Sequence, residues 1–272
     1  MGGSTSAGGS ASTSGGSGGA AGNAGVSGAS GTGGSGGSTT LPYKGVANSE
    51  CADLTRLNVA WWYNWTLSPG DCDTDEFVPM ISGKNEKTPT AVANALGSVA
   101  GAGYDAVLGF NEPNKTDQSN LSVSEVLALW PSITSNAAIR VGSPATSADA
   151  KAWFEEFMEG VEAQSLRVDF VAIHWYGWNA GSCDDADELE SYVNWAEQFQ
   201  RPIWITEWGC MHESNPDAEV VENFYSAALA MFEEHPSIER YAWYPWNTHN
   251  GLVEAGTITA LGETFAAAKP TR

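Results

Sequence analysis

The first forty residues contain no charged and no aromatic side chain, and glycine, serine and threonine make up 31 of them. A segment of this composition cannot bury enough apolar surface to offset the entropy of folding, so residues 1–40 are predicted to be a flexible, disordered linker. All 12 Trp, 8 Tyr and 9 Phe therefore lie in residues 41–272. That segment has the size of one large domain.

Basic residues are scarce, with 12 Lys and Arg against 33 Asp and Glu and a net charge of −21. A charge of this sign repels phosphate groups, so binding to nucleic acid or to anionic membranes is not expected. The chain also has no run of 18 apolar residues, so no membrane-spanning helix is predicted. Its Trp content is high, and we expect about half of the Trp residues to be core and the others to stack on flat ligands such as sugar rings.

The four cysteines, Cys51, Cys72, Cys183 and Cys210, lack the C-x-x-C spacing and the paired histidines of a zinc site. Two disulfides formed in an oxidising compartment are the preferred interpretation, and free thiols are the alternative. No signal peptide is present, and we expect that a leader was removed and replaced by Met1. The sequence therefore predicts a protein that is secreted or tethered to a cell surface through its N-terminal linker.

Short apolar runs alternate with amphipathic segments through residues 41–272. Eight of the runs are apolar on both faces, which is expected of strands buried between a barrel interior and a layer of helices. Eight strands interleaved with helices predict an α/β fold, a single (β/α)8 TIM barrel. The alternative, an open doubly wound sheet, is disfavoured because no glycine-rich phosphate loop follows an early strand. The eight runs are Lys44–Ala47, Leu57–Trp62, Phe77–Ile81, Ala106–Phe110, Ile139–Gly142, Phe170–Trp175, Pro202–Thr206 and Arg240–Tyr244.

Helix signals lie between these runs. Thr88 and Pro89 predict an N-cap followed by proline at the first helical position. Ser122 and Glu125 form a capping box, although Pro131 is expected to break or kink the helix that follows. The early connections are short, so the first third of the barrel is expected to have shortened or missing helices. Further helices are predicted in segments 148–163, 185–199 and 216–234, the last capped by Asn215 and Pro216.

Two of the predicted strands are followed by a glutamate, Glu112 in one case and Glu207 in the other. An isolated carboxylate at such a position is costly unless it is hydrogen-bonded or used in chemistry. On strands four and seven of a barrel, two inward glutamates face each other across the mouth, as cleavage of a glycosidic bond requires. The alternative is that one of them pairs with an arginine or caps a helix. The residues predicted to share inward faces are Ile203, Ile205 and Glu207 on one strand and Leu108, Phe110 and Glu112 on the other.

Eight short segments carry a resemblance to a known family. They are GVAN at 45–48, LNVAWWYNW at 57–65, FVPMI at 77–81, LGFNEPN at 108–114, VGSPA at 141–145, IHWYGW at 173–178, WITEWG at 204–209 and YAWYPW at 241–246. Together they resemble glycoside hydrolase family 128, in the clan-A superfamily of retaining β-glycosidases. GFNEPN and ITEWG are typical of the clan, and WWYNW and FVPMI are typical of the family.

The family is known mainly for endo-β-1,3-glucanases, so the resemblance implies hydrolysis of β-1,3-glucan such as laminarin or curdlan. It implies a retaining mechanism in which Glu112 is the acid/base, Glu207 is the nucleophile, and Asn111 binds the 2-hydroxyl of the cleaved sugar. No cofactor is needed, and neither His212 nor His249 is expected to bind a metal. Further candidates for substrate binding are Tyr63, Asn64, Trp65, His174, Tyr176, Trp178, Trp208, Trp243 and Trp246.

Some of these residues have a second interpretation. Tyr176 either holds the nucleophile through its hydroxyl or is a buried packing residue. Either Trp246 or Trp243 forms the stacking floor of the sugar site. Trp204, whose strand parity is outward, and Trp195 are expected in the core between barrel and helices.

Counting alone leaves three pairings of the four cysteines. The barrel order favours one of them, because Cys51 and Cys72 lie in loops of the same sector, and Cys183 and Cys210 follow neighbouring strands. Pairing Cys51 with Cys72 and Cys183 with Cys210 joins adjacent loops, whereas crossed pairs would block the cleft. The second bridge is predicted to anchor the loop directly after Glu207.

Three functions remain open. The first is a secreted, monomeric, retaining endo-β-1,3-glucanase. The second is a β-1,3-glucan-binding or sensing protein with little turnover, against which the two intact glutamates argue. The third is a clan-A hydrolase of another β-glycan, such as cellulose or mannan. Asn64, Asn114 and Asn120 lie in N-glycosylation sequons, and two of these border the proposed cleft, where a glycan would obstruct substrate. A host that leaves them unmodified, such as a bacterium, is therefore favoured.

Overall fold

A computed structural model of the chain describes residues 42–72, 76–211, 216–246 and 249–269. The linker predicted at residues 1–40 lies outside the described residues. The statements below on strands, helices and contacts concern the described ranges.

Eight parallel strands correspond to the eight predicted runs. Six of them form one sheet in the order β3-β2-β1-β8-β7-β6, and β4 pairs with β5. Isolated parallel bridges also join Met80 to Leu108 and Gly142 to Phe170. The protein is therefore an α/β fold with a parallel central sheet. The strands are β1 (Tyr43–Ala47), β2 (Trp61–Tyr63), β3 (Glu76–Phe77), β4 (Ala106–Val107), β5 (Arg140–Val141), β6 (Val171–Gly177), β7 (Ile203–Cys210) and β8 (Ile238–Trp243).

Seven α-helices are present in the described residues, and the predicted N-terminal signals of two are confirmed. The Thr88 side chain accepts a hydrogen bond from the backbone of Ala91, and Ser122 and Glu125 form a complete capping box. Both caps satisfy backbone N–H groups that the first helical turn leaves without a partner. The helices are α1 (Cys51–Leu57), α2 (Pro89–Gly101), α3 (Val123–Ile133), α4 (Lys151–Ala163), α5 (Asp187–Glu197), α6 (Ala218–Glu234) and α7 (Ala260–Ala267).

Other local predictions need correction. Pro131 does not end α3, which continues to Ile133. The N-cap of α6 is Asp217, and the predicted cap Asn215 lies outside the described residues. Leu57, assigned above to a strand, is the last residue of the short helix α1. The hairpin of β9 (Val253–Glu254) and β10 (Thr257–Ile258) and the helix α7 had no sequence prediction.

The apolar core has two parts, and their division corrects the predicted strand faces. One part consists of residues on or next to strands, including Trp61, Leu108, Phe170 and Trp204. The larger part packs the strands against the helices. Trp204 therefore lies on the inner side of the strands, stacked on Phe170 with ring centroids 3.9 Å apart, and not between barrel and helices as predicted.

The opposite correction applies to three residues that were predicted to face inward. Ile203, Ile205 and Phe110 all belong to the part of the core that contacts the helices. Trp195 packs at the edge of that part, as predicted.

Both predicted disulfides are present, Cys51–Cys72 and Cys183–Cys210. The second is fully buried, whereas Cys51 and Cys72 are half-buried. Among the described helices, none combines the length and the apolar composition that crossing a membrane requires.

Candidate active site

An irregularity in β7 decides which way the Glu207 side chain faces. Along the β6–β7 pairing, Ile173 is opposite Ile205 but the next residue, His174, is opposite Glu207, so Thr206 is an extra residue. An extra residue inverts the alternation of side chains that follow it. Glu207 therefore shares the inner face with Trp204 and not, as predicted, with the isoleucines.

Three side chains hold the Glu207 carboxylate. Tyr176 donates a hydrogen bond of 2.5 Å to Oε2, and the Trp65 indole N–H donates one of 2.8 Å to Oε1. The Tyr63 hydroxyl lies 3.2 Å from Oε1 and 2.9 Å from the Thr206 carbonyl oxygen, so its single proton can serve either acceptor. Hydrogen bonds to a carboxylate are about twice as strong as neutral ones, so Glu207 is held in one orientation.

These contacts also affect the tyrosines. Burial, followed by the charge of Glu207 and the hydrogen bond to it, raises the pKa of Tyr63 and Tyr176 well above the usual tyrosine value. Both hydroxyls are therefore protonated donors at neutral pH. Of the two interpretations of Tyr176, its hydroxyl contact with Glu207 matches the first.

Glu112 follows β4 with a positive φ of 39°, which is uncommon for a residue other than glycine. Its backbone N–H donates to the Ala145 carbonyl oxygen at 2.8 Å, which ties this turn to the chain after β5. A strained backbone of this kind costs on the order of 1–3 kcal/mol and is frequent at functional sites. Trp65, on the other side of the site, has a φ of 59°.

His174 lies between the two glutamates. Its Nδ1 is 3.4 Å from Glu112 Oε1 and 3.5 Å from Glu207 Oε2. Burial acts to lower the pKa of His174, but the charge of Glu207 and the hydrogen bond and charge of Glu112 outweigh it, so the pKa is raised above the usual histidine value. Burial acts to raise the pKa of Glu112, and the contacts with His174 and the charge of Lys115 outweigh it, so that pKa is lowered.

Both glutamates line a cavity of about 960 Å³. The aromatic side chains of the lining are called its aromatic wall and the polar and charged ones its polar wall; the first offer stacking surfaces and the second hydrogen-bonding groups. Among the described residues, Trp178 and Trp246 are the large apolar side chains that are exposed, with 54% and 61% of their surface accessible to solvent. The aromatic lining residues are Trp65, Trp175, Tyr176, Trp178, Tyr244 and Trp246, and the polar ones include Lys84, Asn111, Lys115, Asp117, Gln118 and Asp149.

Asn111 lines the cavity beside Glu112. Its amide donates to Gln118 Oε1 at 3.2 Å, while its buried Oδ1 has no hydrogen-bond partner among the described residues. A buried carbonyl without a partner costs about 1–3 kcal/mol, so a ligand hydroxyl that donates to it would be favoured.

Five of the predicted substrate-binding residues do not line this cavity. Tyr63 is completely buried, and its hydroxyl contacts Glu207 instead. Trp208 and Trp243 are completely buried in the core against the helices, where their rings meet edge to face with centroids 4.7 Å apart. The position of Trp208 follows from the same extra residue that turns Glu207 inward, because alternate side chains face opposite ways. Trp243 shares the face of Tyr241 on β8 by ordinary alternation. His174 is also completely buried and contacts the glutamates instead of the cavity. Asn64 is half-buried and closes a local turn by accepting hydrogen bonds from Thr66.

Two features of the site had no sequence prediction. Tyr244 contacts Trp65 edge to face, and its ring plane is parallel to that of Trp246 within 3°, with ring centroids 6.3 Å apart. On the polar wall, Asn114 donates to Ser147 at 2.6 Å, and Ser147 donates to Asp149 at 2.5 Å. Aromatic residues after β8 were the available signal for Tyr244, whereas the polar network joins loops distant in sequence.

The described part of the chain contains no group of three or more His, Cys, Asp or Glu side chains placed to hold a metal ion. His212 lies outside the described residues.

Comparison with known proteins gives consistent matches. The family described as glycosyl hydrolase catalytic core matches residues 40–265. Alkali-sensitive linkage protein 1 of Schizosaccharomyces pombe is 30% identical over 226 residues, which are 76% of this chain and 40% of that protein. The chain thus spans less than half of that relative's length.

Solved structures of three organisms are similar over 83% of this chain. A subgroup I endo-β-1,3-glucanase of family 128 from Amycolatopsis mediterranei, in complex with laminaritriose, is 32% identical with a TM-score of 0.73 over 98% of its chain. A subgroup II endo-β-1,3-glucanase from Sorangium cellulosum is 28% identical with a TM-score of 0.73 over 98%. A subgroup III curdlan-specific exo-β-1,3-glucanase from Blastomyces gilchristii, in complex with glucose, is 29% identical with a TM-score of 0.69 over 98%. The chain therefore belongs to glycoside hydrolase family 128, within the glycosyl hydrolase catalytic-core family.

Proposed function

We propose that this protein hydrolyses β-1,3-glucan as an endo-acting, retaining glycosidase in which Glu112 is the acid/base and Glu207 is the nucleophile. The observation that carries the proposal is the pair of carboxylates that contact one imidazole nitrogen at a large cavity. Structural relatives described as β-1,3-glucanases, one of them with laminaritriose bound, support the choice of substrate.

The spacing of the two carboxylates favours retention. Because Glu112 Oε1 and Glu207 Oε2 lie 3.4 and 3.5 Å from the same nitrogen, they are at most about 7 Å apart. Retaining enzymes place the carboxyl groups about 5–5.5 Å apart, whereas inverting enzymes need about 6.5–9.5 Å to admit a water molecule. The contact of both carboxylates with one nitrogen is compatible with the shorter spacing and supports retention.

The contacts of the two glutamates favour different roles. Glu207 accepts hydrogen bonds from Tyr176 and Trp65, so it is an oriented anion suited to attack the anomeric carbon. Glu112 lies beside the polar wall and would protonate the leaving oxygen. After the glycosyl–enzyme forms, Glu112 would take a proton from the water that releases the sugar.

The two walls of the cavity support endo action. The parallel rings of Tyr244 and Trp246 lie next to Trp65, which contacts Glu207, and would stack sugars. Asn111 and Gln118 lie towards Glu112 and would bind hydroxyls. Binding groups next to each of the two glutamates suit a chain that is cleaved internally. A rapid fall in the viscosity of a soluble β-1,3-glucan is expected, whereas release of glucose alone would indicate exo action.

Reducing-sugar release from laminarin, curdlan, cellulose and mannan tests the substrate. We expect activity on the first two, and binding without release would favour a glucan-binding protein. Glu112→Gln should abolish hydrolysis of laminarin but spare the first step on substrates with an activated leaving group, whereas Glu207→Gln should abolish both. Glu219→Gln, at an exposed position in the first turn of α6, is the matched control.

If either active-site variant retains laminarin hydrolysis within about tenfold of the unchanged protein, the assignment of that residue is wrong. The configuration of the first product is a separate test. A β-anomer detected first by NMR is expected, and an α-anomer would refute retention.

The proposal extends to the fold and its setting. The bridges Met80–Leu108 and Gly142–Phe170 link the strand groups that the main sheet leaves apart, which supports a closed (β/α)8 barrel formed by residues 41–272. The two disulfides support secretion to an oxidising environment, with residues 1–40 as a linker. Light scattering of the purified protein tests the proposed monomer.

A further inference from the structure

We propose that His174 is a positioning residue that stores the proton of the acid/base, and that it does not bind substrate. The inference rests on the function proposed above. It begins from a contact that the two glutamates share: each lies against the Nδ1 atom of His174, whose side chain is completely buried. In the resting site, the charged imidazole lies between two ionised carboxylates.

The geometry favours the charged form of His174. Nδ1 faces Glu112 at 3.4 Å and Glu207 at 3.5 Å, and Nε2 is buried with no hydrogen-bond partner among the described residues. Two ionised carboxylates that both contact one nitrogen repel each other, and a cation between them offsets that repulsion. Because Nε2 has no such partner, the two carboxylates at Nδ1 are the contacts that act on the charge of the ring.

The other groups near the three residues act on the same balance. Glu207 also receives the hydroxyl of Tyr176 from β6 and faces those of Tyr63 from β2 and Tyr244 after β8. Their pKa values are raised by burial first and by the negative charge of the site second, so they add no charge at neutral pH.

On the polar wall, Lys115 and Asp149 act on the Glu112 carboxylate with opposite charges. They lie 3.5 Å from each other and partly cancel. His174 is therefore the cation in contact with both carboxylates.

A proton is conserved through the proposed cycle. Substrate binding moves the Nδ1 proton to Glu112 Oε1, which leaves a neutral imidazole with its proton on Nε2. Glu112 gives this proton to the leaving oxygen as Glu207 forms its bond to the anomeric carbon. In the second step, water supplies hydroxide to that carbon and a proton to Glu112, the bond to Glu207 breaks, and the proton returns to Nδ1.

The test compares His174→Gln with a matched control, His235→Gln. His235 also lies between two glutamates, 3.3 Å from Glu190 and 3.1 Å from Glu197, but it is remote from the cavity lining. Without the imidazole, the proton of the acid/base is held by a carboxyl alone. A free carboxyl titrates about 2 pH units below an imidazole, and the burial of Glu112 offsets part of this difference, so the alkaline limb of kcat/KM on laminarin should move to lower pH by about 1 unit.

A substrate with a dinitrophenyl leaving group needs little protonation. His174→Gln should therefore cleave it within about threefold of the unchanged protein, because the role concerns the proton and not the nucleophile. His235→Gln should leave both profiles unchanged. An alkaline limb that does not move in folded His174→Gln, or equal losses on both substrates, would overturn the proposal.

A second measurement is independent of the folding of that variant. NMR titration of the unchanged protein should show that the pKa of His174 lies above the usual histidine value. In Glu207→Gln the pKa of His174 should be lower than in the unchanged protein. A neutral His174 at the pH of maximal activity would refute the inference. If the unchanged protein fails to hydrolyse laminarin, the proposed function fails, while the titration still reports the charge of His174.

Discussion

The disulfide Cys183–Cys210 is expected to have two separable effects, one on stability and one on catalysis. It ties the 3-10 turn Gly181–Cys183 to the last residue of β7, three residues after Glu207. The disulfide Cys51–Cys72 ties α1 to a loop seven residues after Trp65, and neither of its cysteines lines the cavity. Replacing each pair by alanine therefore compares two similar constraints, only one of which is next to the proposed nucleophile.

The loop sizes set the magnitude for stability. Sequence separations of 21 and 27 residues correspond to about 3.3 and about 3.6 kcal/mol in the chain-entropy treatment. A domain of this size has an unfolding entropy of roughly 0.5 kcal/mol/K, so each double variant should lose about 7 °C in Tm. Cys183 and Cys210 are completely buried in the core, so their removal also loses packing and should cost more.

Calorimetry and initial rates on laminarin check both effects. We expect kcat to fall about tenfold in Cys183→Ala/Cys210→Ala, because a displaced nucleophile reacts poorly, and to stay within about twofold in Cys51→Ala/Cys72→Ala. Stepwise reduction should open the half-buried Cys51–Cys72 bridge first. Equal losses of kcat in the two variants would refute the anchoring of Glu207, and unchanged Tm values would refute the entropic reasoning.

Three further predictions follow from individual positions. In Gly109→Ala, the new Cβ would lie 2.6 and 2.7 Å from two backbone carbonyl oxygens, so the free energy of unfolding should fall by about 1–3 kcal/mol. Gly97→Ala in α2 meets open space and should raise the free energy of unfolding by about 1 kcal/mol. Equal urea midpoints of the two variants would contradict this. Trp246→Ala should raise KM for laminari-oligosaccharides about three- to tenfold with little change in stability, because its ring is exposed. Trp208→Ala should lower the free energy of unfolding by about 3–5 kcal/mol, because its ring is completely buried. The reverse pattern would show that Trp208 binds sugar and that Trp246 is a core residue. Burial lowers the pKa of Lys44 from 10.5 to about 8, so between these pH values the unfolded chain binds more protons and the stability that depends on Lys44 rises with pH. The difference in free energy of unfolding between the unchanged protein and Lys44→Met should therefore change across this pH range. Parallel curves of stability against pH would contradict the shift.

The role of Lys44 could not be predicted from the pattern of apolar and polar residues. It lies in β1, within an apolar run, and its ammonium donates 2.6 Å hydrogen bonds to the carbonyl oxygens of Phe265 and Ala268 at the end of α7. These carbonyls have no partner within the helix, so the lysine completes the C-terminal cap from more than 200 residues away. No local signal links the two segments.

Features that depend on neighbouring residues were correctly predicted from the sequence. The caps at Thr88 and Ser122 are such features, because the donor and the acceptor lie within three residues of each other. The eight apolar runs also correspond to the eight parallel strands, since a strand buried on both faces must be apolar throughout. The two cysteine pairs followed from the order of strands along the chain.

The tertiary structure decided which way side chains face. The sequence alternation placed Glu207 with Ile203 and Ile205, but the extra residue Thr206 turns Glu207 inward and Trp208 outward to the helices. That irregularity arises from the pairing of β7 with both neighbouring strands, and no single strand carries a signal for it. For the same reason the sequence identified the two glutamates as candidates, while only the packing of three strands placed His174 between them.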